Sequence, residues 1–183
     1  MKDGKIENLH EKVLAGNLLT SGAGVAARVI DNFVSWLVAG VGAALALIIG
    51  NISEIEPYLS LFVVKLAVFV FLVAVVLTVV EKYLASVVMG AAESYAQAAE
   101  VGRRLAKDGV NVQFDVVFAE LKAATLPPMR WLVGRSIEEV QEGDFAASGR
   151  KFARRAQWQG LLAIVVALLL LGTIGLVAYA IGG

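Results

Sequence analysis

Lys65 stands inside the apolar run LFVVKLAVFVFLV, residues 61–73. A charge at such a place lines an ion or proton path, meets a partner, or reaches back to water. No acidic residue lies mid-run to relay a proton. Lys65 is about seven residues from the outer end of its run, roughly 10 Å at 1.5 Å per residue. A helical side chain tilts toward its own N-terminus, here that outer end. Lys65 is therefore expected to snorkel, with its ammonium near the headgroups or near Glu54 and Glu56. A water-filled path and a contact with another subunit are the alternatives.

Little else in the sequence offers chemistry. There is no cysteine, which excludes thiolate metal sites and cysteine nucleophiles. The single histidine, His10, excludes a histidine-rich metal site within one chain and is expected to be solvated. No Walker loop, HExxH, GxSxG or paired-cysteine motif is present. The carboxylates are scattered and nominate no acid/base pair. No catalytic, metal or cofactor site is expected, and no enzyme. Sixteen basic and sixteen acidic residues cancel, which offers nothing to nucleic acid. Arg28 and Asp31, i,i+3 on a helix, are expected to pair. The sequon Asn51-Ile52-Ser53 lies too near the membrane to be used.

The elements that position these residues are membrane spans. Hydrophobic residues make up 58% of the chain, where soluble domains hold about half. The excess sits in three runs at 32–50, 58–80 and 157–181, the third starting beside Trp158. Each approaches or exceeds the roughly 20 residues that cross a bilayer. The 51–57 loop carries Glu54 and Glu56 and no basic residue. Lysines and arginines crowd residues 1–31 and 81–156 instead. The positive-inside rule then puts the N-terminus and 81–156 in the cytoplasm, and the 51–57 loop and C-terminus outside. Tyr58 and Tyr179 would mark the outer interface, Tyr83 and Trp158 the inner one. No cleavable signal peptide is expected, because the first 28 residues carry charges throughout. The alanine-, valine- and glycine-heavy style fits a bacterial inner membrane.

The fold class that follows is an all-α integral membrane protein. It has three transmembrane helices and a small helical cytoplasmic lobe between the second and third. Residues 1–31 read as an amphipathic helix and a hinge, with the turn at Ser21-Gly22-Ala23-Gly24. That helix would rest on the membrane surface or on the lobe. The second span continues as helix through 81–108 and ends at Gly109. Leu84, Val88, Ala91, Tyr95, Ala98, Gly102 and Leu105 form a heptad seam along it, opposite a polar stripe that includes Ser86 and Gln97. Glu100 and Arg104 are an i,i+4 pair. A helix is expected from Asn111, its N-cap, to Pro127, its stop. Ser136 and Glu139 form a capping box. Asp144 caps a last helix that runs into the third span.

Two features point to partners. Arg150, Lys151, Arg154 and Arg155 form a basic cluster just before the third span, fit to contact anionic lipid headgroups. Small residues form rows that let helix backbones approach in lipid. Ser35, Ala39 and Ala43 make one row, Gly42, Ala46 and Gly50 another, and Ala91, Ala98 and Gly102 continue the theme. The function expected is a non-enzymatic membrane subunit, a scaffold, assembly or accessory component, acting as a homo-oligomer or with other membrane chains. The alternative is a homo-oligomeric pore, channel or transporter-like protein, for which Lys65 and the glycine-rich first span speak. The topology predicts that, in intact cells, an impermeant thiol reagent labels a cysteine at Ser53 and spares one at Ser148. Labelling of Ser148 but not Ser53 would reverse it.

Overall fold

The computed structural model describes residues 9–52, 60–110, 112–124, 126–127, 134, 138–139, 144 and 146–182. Among them are four helices and no strand: α1 (Leu9–Gly50), α2 (Leu61–Lys107), α3 (Phe114–Ala123) and α4 (Ala147–Gly182). Three of these, α1, α2 and α4, are long and apolar enough to cross a membrane. The chain divides into two compact units.

One unit comprises Val25–Val87 and Ala156–Gly183. Its hydropathy is nearly uniform, so burial is what separates the faces of each helix. On α2 the buried positions are Val64, Ala67, Ala74, Thr78, Glu81 and Ala85. On α4 they are Ala156, Gln159, Ala163, Val166, Leu170, Thr173 and Ala180. Both series advance by threes, fours and sevens, the 3.5-residue repeat of helices that coil around each other. On α1 the buried positions are Ala27, Val34, Val41 and Leu45. Val34, Val41, Leu45, Ala74, Ala163, Val166 and Leu170 form one core cluster drawn from all three helices. Asp31 meets Lys82, and a Cβ at Gly42 would lie 3.1 Å from the Phe71 ring. α1 and α2 are therefore antiparallel. The buried hydroxyls of Thr78 and Thr173 donate to carbonyls one turn back, at 2.8 and 2.9 Å, so neither is left unpaired.

The other unit comprises Met1–Gly24 and Val88–Arg155. Residues 21–24, read from the sequence as a hinge, are helical, and α1 passes through them without a break. The glycine serves packing instead: a Cβ on Gly24 would fall 2.5 Å from the Ala92 Cβ. Gly16 and Gly149 repeat the device, since a Cβ at Gly149 would lie 2.6 Å from the Gly16 carbonyl oxygen. The start of α1 thus belongs to the same unit as residues 88–155. Tyr95 packs edge-on against Phe152, with ring centroids 6.4 Å apart.

The helix ends follow their chemistry. Gly109 has φ +68°, its N–H reaches the Ala106 carbonyl, and the Val110 N–H reaches Leu105. These two bonds are the Schellman closure expected at this glycine. Glu100 and Arg104 pair at 3.0 Å. The helix α3 forms, but it is shorter than expected. It starts after Gln113, which makes no side-chain cap bond, and it ends at Ala123, before Pro127. Asn111, Trp131, Ser136, Tyr58 and the 53–57 part of the outer loop lie outside the described residues.

The expected seam of α2 is kept only in part: Val88 is buried as read, but Ala85 takes the place of Leu84. Ala85 and Val88 are buried, Leu84, Ala91 and Leu105 half-buried, and Tyr95, Ala98 and Gly102 exposed. The real stripe is the continuation of Thr78 and Glu81, whose polarity hid it. Ser148 is buried, so a thiol reporter on this unit belongs at exposed Gln97. Gly149→Ala should cost on the order of 1–3 kcal/mol, because the added methyl meets backbone that cannot turn aside. Gly90→Ala, which adds its methyl to open space, should gain up to ~1 kcal/mol from helix propensity. Thermal unfolding of both variants in one lipid or detergent system checks the contrast. Equal shifts would mean that the Gly16–Gly149 approach carries no strain.

Candidate functional site

The polar residues of the first unit gather at one level. Gln159 of α4 and Glu81 of α2 are both fully buried. The Gln159 Nε2 donates to Glu81 Oε1 at 2.6 Å and to the Ala27 carbonyl of α1 at 3.0 Å. One side-chain amide therefore ties three helices together. The heptad explains the meeting, since Glu81 follows Thr78 by three residues and Gln159 follows Ala156 by three. The other oxygen of each group, Glu81 Oε2 and Gln159 Oε1, has no hydrogen-bond partner.

A second, exposed pair lies next to it in sequence. Lys82 Nζ donates to Asp31 Oδ1 at 2.8 Å and to Ser35 Oγ at 2.7 Å. Ser35 in turn donates to the Asp31 carbonyl at 2.6 Å. Asp31, expected to meet Arg28, is thus reached from another helix. Ser35, read as a packing residue, is part of a hydrogen-bond chain. A solvent-facing pair of this kind is worth about 0–1 kcal/mol.

Lys65 is exposed. It borders an apolar cleft of about 260 Å³ formed by Ile49 of α1 and Ile52 just beyond it with Leu61, Val64 and Val68 of α2. The basic cluster is divided. Arg150 binds Asp144 at 2.5 Å, and Lys151 binds Glu139 at 2.6 Å. Arg155 sits 5.6 Å over the Phe152 ring. Arg154 is exposed. The residue directly before α4 is Ala146 rather than Asp144, whose backbone carbonyl accepts the Ala147 N–H at 3.1 Å. The hydrogen bond from Arg150 holds the Asp144 carboxyl below its ordinary range, aided by the charges of Arg150 and Lys12. Whatever stability that pair adds is present above the ordinary aspartate range and is lost as pH falls through the lowered value.

The packing candidates also separate. Gly42 is half-buried under Phe71, and Ala91 is half-buried. Ala39, Ala43, Ala46, Gly50, Ala98 and Gly102 are exposed. Trp36, Tyr83, Trp158 and Tyr179 are exposed as well. Among the described residues, no three metal-ligating side chains come together. Sequence reading missed Glu81 and Gln159 as a pair. Glu81 looked like the first residue past a span and Gln159 like a span-end polar residue. The signal available was their heptad phase with Thr78 and Thr173.

No protein-family model, curated protein or solved structure matches the chain. Function must therefore be read from these contacts. Lys65→Met should change stability by no more than about 0.5 kcal/mol, as for other exposed positions, and leave cellular abundance unchanged. Abundance with unfolding midpoint checks this. A variant that assembles normally but abolishes function in cells would restore the path reading for Lys65.

Proposed function

We propose that this chain is a non-enzymatic integral membrane subunit, a scaffold, assembly or accessory component that acts by helix packing. One observation supports it most. Helix α1 carries two heptad faces. The inner face uses Val34, Val41 and Leu45 for the chain's own core. The outer face carries Trp36, Ala39, Ala43, Ala46 and Gly50, spaced by threes and fours, and every one is exposed. The two rows read from the sequence are thus largely one seam, less Ser35 and Gly42, which are used inside. In lipid, small residues along such a seam allow close backbone approach and dispersion contact. The partner is a second copy of this chain or another membrane subunit.

The pore alternative needs a wettable face repeated by symmetry. The exposed residues over 61–80 are instead, save Lys65, all Leu, Val and Phe. In this reading the protein sits in the membrane with residues 1–31 and 81–156 cytoplasmic and the C-terminus outside. Arg154, exposed beside its paired neighbours, then contacts anionic headgroups, an interaction of about 1 kcal/mol.

Association and folding can be separated. Leucine at Ala39 or Ala98 should leave the single chain folded, since both positions are exposed, yet force a partner helix away. The expected cost is on the order of 1–3 kcal/mol of association free energy. Leucine at Ser86 or Gln97 should cost little. Native mass spectrometry or size-exclusion light scattering of the four variants reads this directly. If the wild type is monomeric without partners, or if all four variants keep one assembly, the seam is only a lipid-facing surface.

A further inference from the structure

The hydrogen bonds of Glu81 and Gln159 do not balance. A backbone carbonyl can only accept, so the Ala27 oxygen fixes the amide orientation with Nε2 toward it. The same nitrogen supplies Glu81 Oε1. Left over are Glu81 Oε2 and Gln159 Oε1, two buried oxygens without a donor between them. An ionised carboxylate only accepts and cannot repair this. A carboxylic acid brings one O–H donor. We propose that Glu81 and Gln159 form a proton-binding site, in which Glu81 Oε2 carries the proton and a neutral acid–amide pair closes the interior of the three helices.

The surroundings agree. The charged groups acting on Glu81 are Asp31 of α1 and Lys82 of α2. They pair with each other at 2.8 Å, so their opposed fields at Glu81 largely cancel. From α4 it faces the neutral amide of Gln159. An ionised Glu81 would be a buried charge with one neutral donor, and burying such a charge is what a bound proton avoids. A small metal cation is a poorer occupant, since hard cations gather several oxygens and only two are free here. The site does not depend on the subunit reading. It would stand equally in a monomer.

Infrared spectroscopy of the full chain in lipid nanodiscs tests it. At neutral pH the wild type should show the C=O stretch of a protonated carboxyl, and Glu81→Gln should lose it. The amide introduced by that substitution can still donate to Gln159, so the variant should fold. Absence of the band in the wild type, or its survival in Glu81→Gln, overturns the proposal. Should Glu81→Gln not fold, titration of the wild type decides. A band that persists into alkaline pH supports the site, and one that vanishes in the acid range with ordinary carboxyls overturns it. Gln159→Leu should move the band to higher frequency as the acid loses its partner, and an unmoved band would contradict the acid–amide pair. Adding sodium at constant ionic strength should leave the wild-type band unchanged. Its loss would make the occupant a cation rather than a proton.

Discussion

One side-chain amide, that of Gln159, reaches both a carboxyl on α2 and a backbone carbonyl on α1. Most other contacts in this unit are between aliphatic side chains, which pack almost as well one turn up or down. Lipid adds no hydrophobic drive to choose among such registers, because hydrocarbon is as apolar as leucine. A buried polar layer does choose. A slip of one helix would leave the amide and the carboxyl without partners, at about 1–3 kcal/mol for each neutral group. The hydrogen bonds themselves add less, about 0.5–1.5 kcal/mol each. Their value here is in the penalty for misalignment, the role that single polar residues play in coiled-coil cores.

Register set at that level propagates by shape. Seven-residue spacing brings Val34 and Val41 of α1 to the same side. Ala67 and Ala74 do the same on α2. Alanine on α2 leaves room that Val166 and Leu170 of α4 help to fill, and Phe71 covers Gly42. The second unit works by a harsher rule. There Gly16 lies against Gly149, and Gly24 against Ala92, at separations that admit no extra carbon. Small residues thus do two jobs: they make alanine gaps for larger side chains within the spans and backbone contacts in the other unit.

What the sequence revealed follows from which signals survive in an apolar chain. The three long apolar helices were legible because length and hydropathy alone mark them. So were the end of α2 at Gly109 and the helical nature of 114–123, which rest on local backbone rules. The inner faces of the spans were not legible, since a period cannot be seen where nearly every residue is hydrophobic. Thr78, Glu81, Gln159 and Thr173 do interrupt that uniformity, and each falls on the buried stripe. The hinge at 21–24 failed for another reason. Glycine serves turns and close packing alike, and its neighbours Ala23 and Ala26 offered no means to tell them apart. A linear reading ranks local pairs, so the reach of Lys82 to Asp31 was not seen in it. The two are 51 residues apart.

The same reasoning separates the two faces of α1. A face made for the chain's own core carries valine and leucine, which fill volume between helices whose spacing is already set. The outer face carries alanine and glycine at the same three- and four-residue spacing but in a different heptad phase, and Trp36 at its N-terminal end is among the most exposed large hydrophobic residues described. Lipid tails are fluid and fill any surface, so lipid contact alone gives no reason for small residues at threes and fours. A rigid partner does, because a helix can come close only where side chains are short. The periodicity of the outer face, more than its composition, is what motivates the proposal of a docked helix.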